Sequence, residues 1–235
     1  MSEAKVLLFI VEGPSDEQSL APAFEKIASN NNVSFKVMHY DITSDFASTE
    51  DNIEKRIKRL AVKRFLDDNP QLGVDDICGI VQVVDTDGVF APDSLIEEDE
   101  TIEKTIYEDN YIKCKNAALM VLTRENKRKI LLHLASLREI TIPFGIKVPY
   151  AIYYMSCNLD HVLHCKRNST IEEKMVDSIL FGDQYDDPII FEEFFNNKFV
   201  KVEGDYDCTW DYIQKDRNSL KRGSNFWLCI DRYKC

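Results

Sequence analysis

The sequence lacks any apolar run long enough to cross a bilayer. The longest apolar stretch near its start, residues 6–11, falls far short of the roughly 20 residues a membrane helix needs. It runs into Glu12 with no small-residue cleavage site behind it, so neither an anchor nor a secretory leader is expected. Cys-x-x-Cys pairs are also missing. The seven cysteines, an odd number, are scattered from Cys78 to Cys235, mostly inside apolar runs. That pattern excludes a secreted disulfide framework and predicts reduced thiols in a cytoplasmic protein. Positive charge is scarce, since 29 Lys and Arg face 41 Asp and Glu for a net charge of −12. A protein that coats nucleic acid non-specifically is thereby excluded, because such affinity comes from many cationic contacts to phosphate. An enzyme that touches a few phosphates through metal ions is not. No helix-turn-helix, zinc finger, RNA-recognition motif, internal repeat, low-complexity tract or linker is visible. One elaborated domain over residues 1–235 is expected.

What is present reads as a βαβ series. Residues 5–11 form a continuous apolar strand that ends at Glu12-Gly13-Pro14, the kind found in parallel sheets covered on both faces. Ser15, with Gln18 three residues on, predicts a capping box opening a helix whose apolar face is Leu20, Phe24 and Ile27 and whose stop is Asn30-Asn31-Asn32. A second strand is predicted over 33–42. A second helix follows over 49–68, with Ile53, Ile57 and Leu60 on one face, and a third strand over 77–84 closes on Asp85-Thr86-Asp87-Gly88. Beyond it come an acidic connection (92–110), one or two helices (116–140) and an apolar strand (148–156). Helices near 171–180 and 189–195 and a last strand at 225–230 complete the chain. The expected fold is α/β: a Rossmann-like, mainly parallel sheet flanked by helices, with core segments 5–90 and 148–165. Helical insertions occupy about 92–142, and a C-terminal extension about 166–235.

In an open α/β sheet, ligands bind outside the carboxyl ends of the strands. Two strands end in acids there, the first at Glu12 and the third at Asp85 and Asp87. Residues i and i+2 of a strand share a side, so Asp85 and Asp87 can face one metal while Thr86 points away. Three carboxylates brought together repel unless a divalent cation neutralises them, and hard oxygen ligands suit Mg²⁺ or Mn²⁺. Gly13 and Gly88 each follow an acid, which allows a tight turn and close approach of a phosphate to the backbone.

Phe9-Ile10-Val11-Glu12-Gly13-Pro14-Ser15-Asp16-Glu17 resembles the first Toprim motif, and Val83-Val84-Asp85-Thr86-Asp87-Gly88 resembles its Asp-x-Asp motif. Toprim domains occur in topoisomerases, bacterial primases, small RNA-maturing ribonucleases and nucleases of the OLD type. The likeness covers about the first ninety residues. Ser156-Cys157-Asn158-Leu159-Asp160 is similar to a further segment of RloB-like, defence-associated Toprim proteins, with Asp160 where they carry Glu and no proline. The resemblance implies a Toprim-like fold and a Mg²⁺-dependent (or Mn²⁺-dependent) endonuclease acting on DNA or RNA, as a phage-defence or abortive-infection effector. It implies metal ligands at Glu12, Asp85, Asp87 and Asp160, with Glu12 also a candidate general base. Gly13, Asp16 and Gly88 would lie against substrate, and an ATPase partner is implied by the OLD-type relatives.

Further signals carry alternative readings. Lys55, Arg56, Arg59 and Lys63 form a basic stripe opposite Ile53 and Ile57, either a solvated face or a phosphate-backbone contact. Cys157, His161 and Cys165 stand at i, i+4, i+8 and could bind zinc on a helix, or simply pack. His161 and His164 are candidate auxiliary groups for a metal-bound water. Asp85-Thr86-Asp87-Gly88-Val89 also resembles the first motif of haloacid-dehalogenase phosphatases, with Asp85 as nucleophile. Thr123, Lys174 and the Gly182–Asp187 segment would then supply the later motifs. A non-catalytic, Toprim-like binding module is the third reading.

Overall fold

The computed structural model describes residues 5–29, 33–39 and 41–234. Strand β1 (Lys5–Val11) is buried along its apolar length. Helix α1 (Pro14–Ser29) starts with Pro14, whose fixed φ suits a first helical position. That start makes Gly13 the cap and puts Asp16 third in the helix, where its Oδ2 accepts from the Gly13 N–H at 2.9 Å. The expected Ser15–Gln18 capping box is therefore replaced by a Gly13–Asp16 bond. Leu20, Phe24 and Ile27 are buried as expected, while the Asn30–Asn32 stop lies outside the described residues.

Strand β2 (Val33–His39) ends before the predicted boundary at 42. The single helix predicted next is two short α-helices, α2 (Ile53–Ile57) and α3 (Arg64–Asp68), joined by a π-helical turn at Lys58–Lys63. The apolar spacing explains the wide turn. Ile57 and Val62, both buried, are five residues apart, and only an i→i+5 turn keeps both on the core. The Leu60 side chain is not among those described.

Strand β3 (Ile77–Asp85) is followed by three short strands, β4 (Ile96–Glu98), β5 (Ile106–Tyr107) and β6 (Ile112–Cys114). They form a small separate sheet in the order β4-β6-β5, so the insertion is partly β rather than helical. Ile112 anchors it by packing with Ala91, Cys157 and Leu220. Helix α4 (Ala117–Ser136) is capped by Asn116, whose side chain accepts from the Leu119 N–H. Strands β7 (Glu139–Thr141) and β8 (Lys147–Met155) precede α5 (Leu159–His164), α6 (Ile171–Gln184), α7 (Pro188–Phe195), α8 (Tyr206–Ile213) and α9 (Trp227–Tyr233). The last predicted strand is thus helix α9. A helical turn buries Phe226, Cys229 and Ile230, at i, i+3 and i+4, which a strand would send to opposite sides.

The main sheet has the order β2-β1-β3-β8-β7, parallel except for the antiparallel edge strand β7. Alternate residues feed two cores. Leu8, Ile10 and Val84 pack with α2, α4 and α8, whereas Leu7, Phe9, Val81 and Val83 pack with α1, α5, α6, α7 and α9. Residues after 166 are integral to both cores, contributing Trp210 to one and Phe181, Phe191, Phe195 and Phe226 to the other. Among the described residues no helix is long and apolar enough to cross a membrane. All six described cysteines are free thiols, with Cys114, Cys157 and Cys229 buried.

Candidate active site

Helix α1, which leaves β1, covers one face of the sheet, and α2, which precedes β3, covers the other. The chain therefore reverses its winding between the neighbouring strands β1 and β3, and their carboxyl ends border the crevice where α/β sheets bind ligands. Glu12 and Asp85 stand at those ends. The alternation that sends Leu8 and Ile10 toward α4 carries Glu12 the same way, and the one that sends Val81 and Val83 to the opposite face carries Asp85 toward α5. The two acids remain linked, because Glu12 Oε1 accepts from the Asp85 N–H at 3.2 Å. Asp85 Oδ1 accepts from the Leu159 N–H at 2.8 Å.

Asp87 reaches the crevice by a different route from the one its i+2 spacing predicts. The strand ends at Asp85, and Asp87 and Gly88 both adopt left-handed backbone, with φ of 48° and 61°. The turn swings Asp87 toward α4, where its Oδ2 lies 2.5 Å from Lys127 Nζ. Thr86 faces away as predicted, accepting from the Cys157 N–H at 2.9 Å. A side chain on Gly88 would meet Leu220 Cδ2 at 2.6 Å, so glycine is required there for packing as well as for its φ. Gly13 has no such constraint, with nothing within 4 Å of a Cβ.

Two lysines answer the acids. Lys127, 4% exposed, contacts Asp87, Ser44 Oγ at 2.9 Å and Glu12 Oε1 at 3.6 Å. Burial alone would lower its pKa, but Asp87, Glu12 and Asp41 outweigh that and hold the ammonium charged. On the other flank, Lys174 Nζ lies 3.0 Å from Oδ2 of buried Asp160 and also feels Asp85 and Asp16. Five carboxylates (Glu12, Asp16, Asp85, Asp87 and Asp160) thus share two ammonium groups. The imbalance appears in their titration. Burial, reinforced by Asp41, Asp87 and Asp16, raises Glu12 to about 8. Asp85 is pushed well above the carboxylate range by burial and by Glu12. Asp16 rises to about 6 through burial, against the Gly13 N–H and Lys174.

Such a surplus of partly buried hard-oxygen donors is satisfied either by protons or by a divalent cation, and it fits Mg²⁺ or Mn²⁺ in charge and ligand type. Among the described residues, however, no three Asp, Glu, His or Cys side chains stand ready as a ligand cage. Asp87 and Asp160 are each held by a lysine, so metal ligation would require these ion pairs to rearrange.

The remaining predicted residues lie elsewhere. Burial and Arg167 lower His161 to about 4, and burial lowers His164, which packs edge-on to Phe181. The charged groups that act on His161 are Arg167, Arg222 and Asp109, beside a backbone hydrogen bond with Ser156, rather than the crevice acids. The zinc spacing fails because α5 spans only Leu159–His164. Cys157 precedes it in a left-handed conformation and Cys165 caps its end, so the three do not share a helical face. Thr123 lies inside α4 and donates to Leu119 and Met120 carbonyls, not at a strand end where a phosphatase second motif belongs. Residues 182–187 lie at the end of α6 and the turn after it, again not at a strand end. Lys55, Arg59 and Lys63 are exposed, and Arg56 pairs with Asp45.

Lys127 and Arg124 were not anticipated. Arg124 is buried and donates to the Gly88 and Ala91 carbonyls at 2.9 and 2.5 Å and to Asp93 at 2.6 Å, bracing the turn behind Asp87. Both basic residues sit on the stripe 124, 127, 131, 134 that also carries buried Leu131 and Leu134. Two cations on the apolar face of a helix were the legible signal, since buried charges demand partners. No known protein family, curated protein or solved structure matches the chain.

Proposed function

We propose that this chain is a metal-dependent nuclease of the Toprim type, hydrolysing phosphodiester bonds in nucleic acid. The observation that carries the reading is the meeting of Glu12, Asp85 and Asp87 around the carboxyl ends of β1 and β3, with more partly buried carboxylate than local cations can balance. Glu12, Asp85, Asp87 and Asp160 would hold Mg²⁺ or Mn²⁺. The bound metal would polarise the phosphodiester and lower the pKa of water. Glu12 would serve as a further metal ligand or as the general base, its raised carboxyl value belonging to the metal-free site and falling when a cation binds beside it. Asp16 orients the loop that carries Glu12 by holding the Gly13 N–H. Lys127 positions Asp87, and Lys174 positions Asp160. The exposed cations Lys55, Arg59 and Lys63 would contact the phosphate backbone, giving an acidic protein a local basic footing. A phage-defence role, with an ATPase as partner, belongs to the same proposal and follows from the Toprim resemblance alone.

The test is incubation with plasmid, single-stranded DNA and total RNA in Mg²⁺, in Mn²⁺ and in EDTA, alongside Asp85→Ala. Cutting that EDTA stops and Asp85→Ala loses supports the proposal. No cutting of any substrate, or cutting that survives the substitution, overturns it. Hydrolysis of p-nitrophenyl phosphate with a trapped aspartyl-phosphate at Asp85 would instead establish the phosphatase chemistry.

A further inference from the structure

A cleft of about 400 Å³ opens beside the acids and shares Asp87 and Lys127 with them. Its lining is of two kinds. Thr43, Ser44, Asp87 and Lys127 make its polar part, with the Tyr107 phenol close enough to feel Asp87 and Asp85, while Phe46, Leu119 and Leu122 supply apolar surface. These three apolar side chains are unusually bare for their size: Phe46 is 77% exposed, Leu119 50% and Leu122 63%. Phe46 is nevertheless held in place from both sides. Asp45 pairs with Arg56, the Ser48 N–H donates to the Asp45 carbonyl at 2.8 Å, and Asn126 Nδ2 donates to the Ser48 carbonyl at 2.9 Å. The loop is thus pinned before and after the ring, which protrudes from a fixed backbone. A braced backbone spares the cost of ordering the loop when something stacks on the ring, leaving only the rotamers of the side chain to be fixed.

We infer that this cleft receives one unstacked nucleobase of a single-stranded substrate, adjacent to the phosphate presented to the acids. The inference rests on the nuclease reading and narrows its substrate to single-stranded nucleic acid or an unpaired stretch. The layout accommodates a nucleotide, whose base can lie against the apolar side chains of the cleft while its phosphate meets Lys127. The volume lies within the range of pockets that enclose small organic ligands. A base inside a duplex cannot enter, because its faces are covered by its neighbours in the stack. Leaving the stack costs a few kcal/mol, least for a strand already unpaired. A base–aromatic stack recovers about 1–3 kcal/mol, roughly 5- to 150-fold in affinity, with little sequence preference.

The experiment measures binding with Ca²⁺ in place of Mg²⁺, a hard cation that can occupy carboxylate ligands while cleavage is suppressed, using fluorescent single-stranded DNA, single-stranded RNA and duplex DNA. Phe46→Ala and Leu122→Asp are the variants; both side chains are exposed, so the fold should tolerate them. Single strands should bind the unaltered protein at least tenfold more tightly than duplex. Both variants should erase most of that margin while leaving duplex binding unchanged. Single strands carrying 5-iodouracil should crosslink to the peptide containing Phe46 or Tyr107. Equal single-strand binding by variant and unaltered protein, or crosslinks confined to other peptides, would overturn the cleft assignment and leave the nuclease reading standing. Absence of binding to any nucleic acid would overturn both.

Discussion

Glu12 is a carboxyl group whose surroundings favour its proton. In an unfolded chain it titrates near 4.5, and in the folded protein near 8, chiefly because the crevice desolvates it and Asp41, Asp87 and Asp16 add negative charge. The folded state therefore binds the proton more tightly than the unfolded state does. The stability this contributes is complete below the unfolded value and is lost as pH rises through the folded one. Glu12→Gln keeps a neutral side chain of the same shape at every pH. Thermal melts of the metal-free proteins should show the Gln variant gaining on the unaltered protein as pH rises from about 5 to about 9. A constant difference across that range would mean that Glu12 is as well hydrated as a surface acid. Lys127 limits the effect without abolishing it, because its ammonium is shared with Asp87 at 2.5 Å and sits 3.6 Å from Glu12.

The turn after β3 decides where Asp87 goes. Gly88 has a φ of 61° and no room for a Cβ beside Leu220, and its carbonyl is held by Arg124. Gly88→Ala should cost about 1–3 kcal/mol of stability in a denaturant titration. The superficially similar Gly13 carries neither a positive φ nor a nearby obstacle. Gly13→Ala should be close to neutral, the smaller conformational freedom of the unfolded chain (about 0.4–1 kcal/mol) being offset by the poorer N-cap that alanine makes. Equal effects at the two positions would contradict the turn geometry. Both glycines follow an acid in the sequence, so the pattern alone made them equivalent; the packing of Leu220, 132 residues downstream of Gly88, separates them.

At the scale of the molecule, a net charge of −12 coexists with a crevice where partly buried acids outnumber their lysine partners. A divalent cation bound there should stabilise the native state by mass action, about 2.7 kcal/mol when its concentration is a hundred times the Kd. For a chain of this length that corresponds to roughly 2–4 °C in Tm per kcal/mol. Mg²⁺ or Mn²⁺ should therefore raise Tm by several degrees beyond NaCl of equal ionic strength, and Asp85→Asn should remove the excess. The same rise in the variant would trace the effect to general screening of the −12 charge and remove the metal site from consideration.

The parallel sheet core, its first three strands and the acids that end two of them were legible in the chain because each is written locally, while the placing of β1 beside β3 was not. Continuous apolar runs mark buried strands, and a strand must end where its run ends. Three further things depended on groups distant in sequence. The i, i+5 spacing of Ile57 and Val62 produced a π-helical turn only because both had to reach one core. The run at 225–230 became a helix because Phe226, Cys229 and Ile230 had a cavity to fill between α1 and α7. Lys127 entered the crevice because α4 crosses that face of the sheet, and no local pattern records which helix will cover which strand end. The sequence by itself determined the acids and the strands they end. Tertiary structure decided how those acids are partnered, because a buried charge takes its partner from whatever the fold packs against it.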